Sequence, residues 1–244
     1  MVVRRFEGEP TTLVWIHGLG EQAASFEPIV RHPRLAAYTH VVPDLAGYGR
    51  SVADATLGSL ARRAQALAAW LRELPPAVVV GHSMGGVLAI LVAEQLAVRG
   101  LIDVEGNLSR GDCTFSARAL AAGRVAFRTH GFAALRDEML ASSDPALRGY
   151  GVAISQTSDA TFYSDAEDLV RLAVAEELAP RLAALACPSL FISGSPGGIC
   201  ERSQQLLAAH AIPHVRIAPS GHWPFLDQPD TFATAVANFV ASVA

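Results

Sequence analysis

The sequence predicts an α/β protein in which a mainly parallel sheet is flanked by helices and carries an inserted helical lid. Strand and helix signals alternate from about residue 11 onward. The predicted strands are continuous apolar runs, which is the pattern of parallel strands buried on both faces. The alternation stops over residues 106–179, which contain helical patterns and no clear strand. We therefore expect a core formed by residues 1–105 and 180–244 and a lid formed by residues 106–179.

Six predicted strands and three predicted core helices support this architecture. Each strand is a short apolar run that ends at glycine, proline or a polar turn. In chain order the strands are Thr11 to His17, His40 to Pro43, Ala77 to Val80, Gly100 to Asn107, Pro188 to Gly194 and Pro213 to Pro219. The helices, which show a 3.6-residue period or an apolar run, are Thr56 to Leu74, Val87 to Val98 and Asp230 to Ala241.

The composition excludes several classes of protein. Hydrophobic residues make up 51% of the 244 positions and charged residues 17%, so the chain is not disordered. No apolar run is long enough for a transmembrane helix. The net charge of −4 argues against a nucleic-acid or membrane partner. Three widely spaced cysteines and the absence of a secretory signal favour a cytoplasmic protein, and no motif indicates a metal or another cofactor.

A candidate nucleophile follows the third strand. Residues 81–85 read G-H-S-M-G, with an apolar strand before them and a helix after them. In this context Ser83 is placed on a sharp strand-to-helix turn with its hydroxyl exposed, and the flanking glycines avoid steric clashes there. Ser83 is therefore the predicted catalytic nucleophile, and the alternative is an ordinary tight turn with a bystander serine.

A serine needs a base, and a tetrahedral intermediate needs hydrogen-bond donors. His222 lies between the last strand and the last helix, at the carboxyl edge where open α/β sheets form their sites. The glycine loop after the first strand, H-G-L-G, offers the N–H of Leu19, and the residue after the nucleophile offers the N–H of Met84. These two N–H groups are the predicted oxyanion hole.

Four motifs give the chain a resemblance to the α/β-hydrolase superfamily. They are HGLG (17–20), PDLAGYGRS (43–51), GHSMGG (81–86) and GHWPFLDQP (221–229), in the family's order. The resemblance implies a mainly parallel sheet, a helical lid after the family's sixth strand, and a Ser-His-acid triad. The short N-terminus suggests that one opening strand of the family's sheet is missing.

The triad acid departs from the family's usual pattern. The resemblance places an aspartate after the seventh strand, where this chain has Gly197. A rarer family arrangement places the acid after the sixth strand, where Glu105 lies. Glu105 is therefore the predicted acid, and Glu201 and Asp103 remain alternatives.

The predicted reaction is hydrolysis of an ester-like bond by a serine hydrolase without a cofactor. A carboxylic ester, a lactone or a thioester would use the same machinery. Aromatic residues of the lid, with Phe127 and Phe162 as representatives, are expected to bind a small to medium hydrophobic substrate or else to form the lid's own core. The alternatives are a non-hydrolytic lyase, isomerase or ligand receptor of the same fold, and a thioesterase of natural-product biosynthesis. The sequence does not indicate an oligomeric state.

Overall fold

The computed structural model describes residues 1–243, in which one seven-stranded sheet forms the centre of the molecule. The strand order is β1-β3-β2-β4-β5-β6-β7, and every neighbouring pair is parallel except β1 with β3. The strands are β1 (Val2–Phe6), β2 (Glu9–Ile16), β3 (Tyr38–Asp44), β4 (Val78–His82), β5 (Gly100–Val104), β6 (Ser189–Pro196) and β7 (His214–Ser220). The predicted α/β class and mainly parallel sheet are confirmed.

Among the strands of residues 1–243, β1 is the one that the sequence did not predict. It pairs antiparallel with β3 at the edge of the sheet, from Val2 opposite Asp44 to Phe6 opposite His40. An edge strand is buried on fewer sides than a central one, so it does not need a continuous apolar run. Because VVRRF contains two arginines, it is not a continuous apolar run and was not recognised as a strand. The sheet therefore begins with an antiparallel edge strand. The family's sixth strand, after which Glu105 lies, is the fifth strand here, in keeping with the expected absence of one opening strand of the family's sheet.

Helices cover both faces of this sheet. The core helices are α1 (Glu27–Val30), α2 (Leu60–Leu71), α3 (Met84–Ala93), α10 (Glu201–Ala209), α11 (Pro224–Asp227) and α12 (Pro229–Ser242). Short 3₁₀ turns span Ala23–Phe26 and Ala55–Leu57. Helix α3 is shorter than predicted, because the chain leaves the helix after Ala93 and the Arg99 N–H then pairs with the Ala77 carbonyl beside β5.

The segment between β5 and β6 contains helices and, within the described residues, no strand. It holds a 3₁₀ turn (Arg110–Asp112), α4 (Thr114–Ala122), α5 (Arg124–Ala126), a π-helical turn (Phe127–Gly131), α6 (Phe132–Ala141), α7 (Pro145–Ile154), α8 (Asp159–Ala175) and α9 (Leu178–Ala183). We call residues 106–179 the insertion. Its predicted end at residue 179 lies inside α9, so this helix spans the predicted boundary.

The insertion is joined to the core by a buried ion pair. Arg63 on α2 donates from Nε to Asp165 on α8 over 2.8 Å, and the Tyr48 hydroxyl donates to the same carboxylate over 2.7 Å. The Arg63 and Asp165 side chains are 5% and 0% exposed. The arginine also donates to the Ala46 carbonyl. Helix α8 is thereby fixed to the turn that follows β3.

No helix within residues 1–243 combines the length and the apolarity that a crossing of the bilayer requires.

Candidate active site

Ser83 occupies a sharp turn between β4 and α3. Its backbone has φ 55° and ψ −121°, a conformation that residues other than glycine rarely adopt. A Cβ on Gly81 would lie 2.1 Å from the Gly85 carbonyl oxygen, and one on Gly85 would lie 2.0 Å from the Ile16 oxygen. Both neighbouring positions therefore exclude any residue larger than glycine, and the packed turn holds Ser83 at the carboxyl edge of the sheet.

Glu105 lies directly after β5 and contacts His222. The imidazole Nδ1 and the Glu105 Oε2 are 3.3 Å apart, and because a carboxylate can only accept, the ring nitrogen donates. The other carboxylate oxygen accepts from the Gly194 N–H over 2.6 Å. Glu105 is 1% exposed and has φ 56°. The buried carboxylate is thus fixed from two sides and orients the imidazole.

The two alternative acids lie elsewhere. Glu201 is exposed in the first turn of α10, where its one side-chain hydrogen bond among the described residues is with Gln205. Asp103 is fully buried against Gly86 and Gly106, and burial raises its pKa well above the ordinary value. Neither Glu201 nor Asp103 lines the cavity that holds His222.

The Ser83 hydroxyl points at an amide that sequence reasoning missed. Its Oγ donates to the Asn107 Oδ1 over 3.4 Å, and Asn107 is itself held by a bond from its Nδ2 to the Asp112 carbonyl. Within residues 1–243 the hydroxyl makes no hydrogen bond with His222, although both residues line one cavity. Catalytic hydrogen bonds are often unformed in a ligand-free site and tighten when substrate binds.

The loop of residues 17–21, here the Gly18 loop, presents the Leu19 N–H. The Gly18 carbonyl accepts from the His17 Nδ1 over 2.9 Å and from the Glu21 N–H over 3.2 Å. A trans peptide has its N–H opposite its carbonyl, so the Leu19 N–H points away from both of these donors. Within the described chain, neither this N–H nor that of Met84 donates to a protein acceptor. Both remain able to bind an oxyanion.

A buried ion pair lies beneath this loop. The Glu21 carboxylate is 2.9 Å from the Nδ1 of His82, and both side chains are at most 3% exposed. Burial works to raise the pKa of Glu21, but the His82 charge and hydrogen bonds from His82, Trp223 and Gly18 outweigh it and lower the pKa to about 2. Burial works to lower the pKa of His82, but the charge and hydrogen bond of Glu21, with smaller effects of the His222 carbonyl and Glu105, outweigh it and raise this pKa. Sequence reasoning assigned no role to Glu21.

A cavity of about 350 Å³ lies above Ser83, which is a size suited to a small molecule. The core contributes Ser83, Glu105, His222 and Trp223, with Leu19 of the Gly18 loop. The insertion contributes five apolar or aromatic side chains, five polar ones and one glycine, which are Asn107, Gly111, Asp112, Thr114, Phe115, Ser116, Asp144, Ala146, Leu147, Tyr150 and Leu169.

Phe127 and Phe162, which were predicted to bind substrate, do not line this cavity. They stack on each other with ring centroids 5.6 Å apart, and both contact Phe132. Phe127 is 2% exposed and Phe162 is 0% exposed. The insertion must bury its own apolar surface, so these rings form its internal core. The alternative interpretation of the lid aromatics, as lid core, is the one that the structure supports for this pair.

The site offers nucleophilic and acid–base chemistry from its own side chains. It contains a hydroxyl, an imidazole with a carboxylate partner, and two free backbone N–H groups, which is the set that acyl transfer requires. Among residues 1–243, no group of three or more His, Cys, Asp or Glu side chains could hold a metal ion. Burial raises the pKa of the Cys113 thiol to about 11, so that thiol is a poor nucleophile.

Comparison with known proteins identifies the family. The profile described as "Alpha/beta hydrolase family" matches residues 13–235. The chain is 31% identical over 261 residues to a pimeloyl-[acyl-carrier protein] methyl ester esterase of Xanthomonas campestris pv. campestris, with 97% of each chain covered. It is 33% identical over 252 residues to the protein of that name from Stenotrophomonas maltophilia, with 97% of this chain and 95% of the relative covered.

Solved structures share the fold. An esterase from Exiguobacterium antarcticum superposes with a TM-score of 0.81 at 19% identity, over 98% of this chain and 94% of that one. An N-acyl homoserine lactonase superposes with a TM-score of 0.79 at 21% identity, over 99% and 92%. The family profile and the curated relatives, together with this fold, show that the chain belongs to the alpha/beta hydrolase family and is an enzyme that hydrolyses ester bonds.

Proposed function

We propose that this chain cleaves a carboxylic ester through an acyl-enzyme on Ser83, with His222 as the base and Glu105 as its carboxylate partner. One observation carries the proposal. Ser83, on a strained turn, lines the same cavity as His222, and the Nδ1 of His222 donates to the buried Glu105 carboxylate. That arrangement performs nucleophilic acyl transfer on unrelated folds as well as on this one.

Acylation begins when the Ser83 hydroxyl turns from Asn107 toward His222. The imidazole takes the hydroxyl proton as Oγ attacks the ester carbonyl, and the carbonyl π electrons move to oxygen. The oxyanion accepts hydrogen bonds from the Leu19 and Met84 N–H groups. His222 then gives its proton to the departing alcohol, and the carbon–oxygen bond breaks to leave an acyl-enzyme.

Deacylation repeats these steps with water. His222 takes a proton from a water molecule, the resulting hydroxide adds to the acyl carbonyl, and the second oxyanion uses the same N–H groups. Collapse releases the carboxylic acid and returns the proton to Ser83. In both halves Glu105 stabilises the imidazolium and holds its tautomer, so that the other ring nitrogen faces the reaction.

The insertion acts in this proposal as a lid over the cavity. Its side chains Phe115, Leu147 and Leu169 give the cavity part of an apolar lining, which suits the hydrocarbon part of an acyl chain. The two curated relatives are named for a methyl ester of an acyl chain on a carrier protein. A methyl ester of a medium-length acyl chain, free or bound to an acyl carrier, is therefore the proposed substrate class.

Labelling and turnover test this proposal together. A fluorophosphonate should add its mass to the one peptide that contains Ser83, and Ser83→Ala should abolish the label. Turnover of a series of methyl esters, and of an acyl-carrier-bound methyl ester, should fall by at least about 10³-fold in Ser83→Ala and in His222→Ala. A label on a cysteine instead would refute the nucleophile. A labelled Ser83 without any ester turnover would favour a ligand receptor or a non-hydrolytic enzyme.

The cytoplasm is the proposed location. The cysteines Cys113, Cys187 and Cys200 are all free thiols, as is usual in a reducing compartment. Fractionation of the source cells with an antibody to this chain tests the location, and recovery outside the cytoplasmic fraction would contradict it.

A further inference from the structure

We propose that Glu21 is a positioning residue for the ester hydrolysis. Its carboxylate, ion-paired with His82, holds the Gly18 loop and the His222 loop (residues 221–223) in one fixed arrangement around Ser83. The inference rests on the proposed function, because it concerns the same reaction. It adds a residue that lies 62 positions before the nucleophile and belongs to none of the motifs described above.

The Glu21 carboxylate accepts hydrogen bonds from three different parts of the chain. Its Oε2 accepts from the Gly18 N–H over 2.8 Å and from the His82 Nδ1 over 2.9 Å. Its Oε1 accepts from the Trp223 indole N–H over 2.6 Å. These donors belong to the glycine loop, to the residue before the nucleophile and to the residue after His222. One buried side chain therefore joins all three segments of the site.

His82 must carry two ring protons in this arrangement. Its Nδ1 faces the Glu21 carboxylate, and its Nε2 is 2.8 Å from the backbone carbonyl oxygen of His222. The pKa of Glu21 is lowered to about 2, so its side chain is an ionised carboxylate. A carboxylate and a peptide carbonyl can only accept, so both ring nitrogens donate. His82 is therefore an imidazolium, and Glu21 is the carboxylate that compensates its charge in a fully buried place.

The His82 imidazolium connects the Glu21 carboxylate to the backbone of His222. The His82 ring lies 4.8 Å from the His222 ring, centroid to centroid, and its N–H fixes the His222 carbonyl. Glu105 contacts the side chain of His222, whereas His82 contacts its backbone. A one-ångström misplacement of a reacting group costs about 10²-fold in rate, so a backbone anchor at this point has a direct kinetic effect.

Glu21 also fixes the direction of the Leu19 N–H. Its carboxylate binds the Gly18 N–H, and its own N–H binds the Gly18 carbonyl. Glu21 thus binds both the N–H and the carbonyl of Gly18. A Cβ on Gly18 would lie 3.0 Å from the Glu21 Oε2 and 3.1 Å from the Ser83 Cβ, so this loop packs directly against the nucleophile.

Pairing with His82 also removes an electrostatic problem. An uncompensated carboxylate so near Ser83 would repel the oxyanion that forms in the transition state. The imidazolium cancels that charge while the hydrogen bonds remain. Glu21 therefore positions the donors without opposing the charge that they stabilise.

The test uses Glu21→Gln, which keeps the size of the side chain and removes its charge, and His82→Asn, which keeps a donor near Nδ1 and removes the bond to His222. Glu201→Gln, on the exposed start of α10, is the matched control. Active sites are counted by fluorophosphonate titration, so that kcat is expressed for each reactive Ser83. Affinity for a trifluoromethyl ketone, which forms a tetrahedral adduct on serine, is measured in parallel.

We expect Glu21→Gln and His82→Asn each to lower kcat per titrated site by about 10- to 100-fold, with KM changed by less than about three-fold. Affinity for the ketone should fall by the same factor as kcat/KM, because the adduct uses the same donors. The double variant should lose little more than the worse single one, since the pair acts as a unit. The control should match the wild type.

Two results would overturn the inference. A full kcat per titrated site, with only fewer sites or a lower melting temperature, would assign the pair to folding alone. Failure of both single variants to fold would lead to the same conclusion. Failure of the proposed function would look different, since the wild type itself would then turn over no ester or leave Ser83 unlabelled.

Discussion

The Glu105 carboxylate occupies the space that a side chain at Gly198 would need, since a Cβ on Gly198 would lie 2.4 Å from the Glu105 Oε1. The family resemblance places the acid one residue earlier, at position 197, and this chain has glycine at both 197 and 198. The missing side chain at position 198 leaves space for the Glu105 carboxylate, which reaches His222 from the end of β5. We propose that Glu105 and Gly197 have exchanged roles relative to the usual family pattern, so that the carboxylate now follows β5.

Glu105→Gln should lower kcat by about 10²- to 10⁴-fold, because a neutral amide holds the imidazole less well and does not stabilise its charge. Folding should be intact, since the amide oxygen can still accept from the Gly194 N–H. Kinetics on a methyl ester, with circular dichroism as the folding check, measure this. Normal activity in Glu105→Gln together with a large loss of activity in Glu201→Gln would show that the triad acid is Glu201 on α10.

An aspartate restored at position 197 should partly rescue that loss. A Cβ on Gly197 would lie 3.2 Å from the Gly221 Cα, immediately before His222, and its φ is not in the left-handed region. A carboxylate there can approach the same imidazole. We expect Gly197→Asp in the Glu105→Gln background to regain at least about ten-fold in kcat, which is a modest part of the triad contribution.

Gly197→Asn in the same background is the control for this rescue, since it has the same shape without the charge. Equal rescue by the asparagine would show that the charge is not what the site needs. No rescue by the aspartate, with the folded protein intact, would contradict the proposed exchange of positions.

Parts of this molecule were predictable because they depend on local constraints. The turn at Ser83 needs glycine on both sides, and that requirement is written within five consecutive residues. The hydrolase prediction is confirmed by the family and the relatives. Glu105 as the acid, Leu19 and Met84 as donors, and the lid role of residues 106–179 stay predictions, to be tested by the experiments above.

Other parts depend on contacts that no local pattern records. Glu21 meets His82 across 61 positions and Trp223 across 202. Its only local signal was an acidic residue immediately after a glycine loop. The aromatic content of residues 106–179 indicated a packed helical unit, but it did not indicate which rings line the cavity. Phe127 was predicted to line it and does not, whereas Phe115 does.

Leu147→Ala should widen the preference of the enzyme toward bulkier acyl chains. Leu147 lines the cavity from α7, and its truncation adds volume to the cavity that Ser83 also lines. We expect kcat/KM ratios between long and short methyl esters to rise by about 10-fold, the usual scale of one or two methylenes in a pocket. Phe127→Ala is the control, because Phe127 is buried away from the cavity.

Phe127→Ala should therefore lower stability by about 3 to 5 kcal/mol, as for large core truncations, while the chain-length profile stays that of the wild type. A shifted profile in Phe127→Ala with an unchanged one in Leu147→Ala would restore the original assignment of Phe127 to substrate binding.

Asp165→Ala should destabilise the protein by about 3 to 5 kcal/mol, because it leaves the buried Arg63 charge without its partner. It also removes the acceptor of the Tyr48 hydroxyl. Urea unfolding measures the loss. Asp137→Ala, in an exposed pair with Arg136, should leave the unfolding free energy nearly unchanged, and an equal loss in both variants would contradict the importance of burial.

The stability that Glu21 and His82 provide should depend on pH in both directions. The pKa of Glu21 is lowered from 4.5 to about 2, so its contribution is complete above pH 4.5 and is lost as the pH falls toward 2. The pKa of His82 is raised above 6.5, so its contribution is complete below that value and is lost as the pH rises through the raised pKa. The charged or titratable groups that face His82 are Glu21, Glu105, Asp103 and His222.

The unfolding free energy of the wild type minus that of Glu21→Gln should therefore be largest between pH 4.5 and 6.5 and shrink on both sides. Subtracting one variant from the other removes the titration of groups that the two proteins share. Glu201→Gln should give a small difference with no such maximum, because this carboxylate is exposed. A flat difference for Glu21→Gln would mean that the buried pair is not ionised. A protonated Glu21 would then donate to the His82 Nδ1, and the neutral imidazole would donate from Nε2 to the His222 carbonyl.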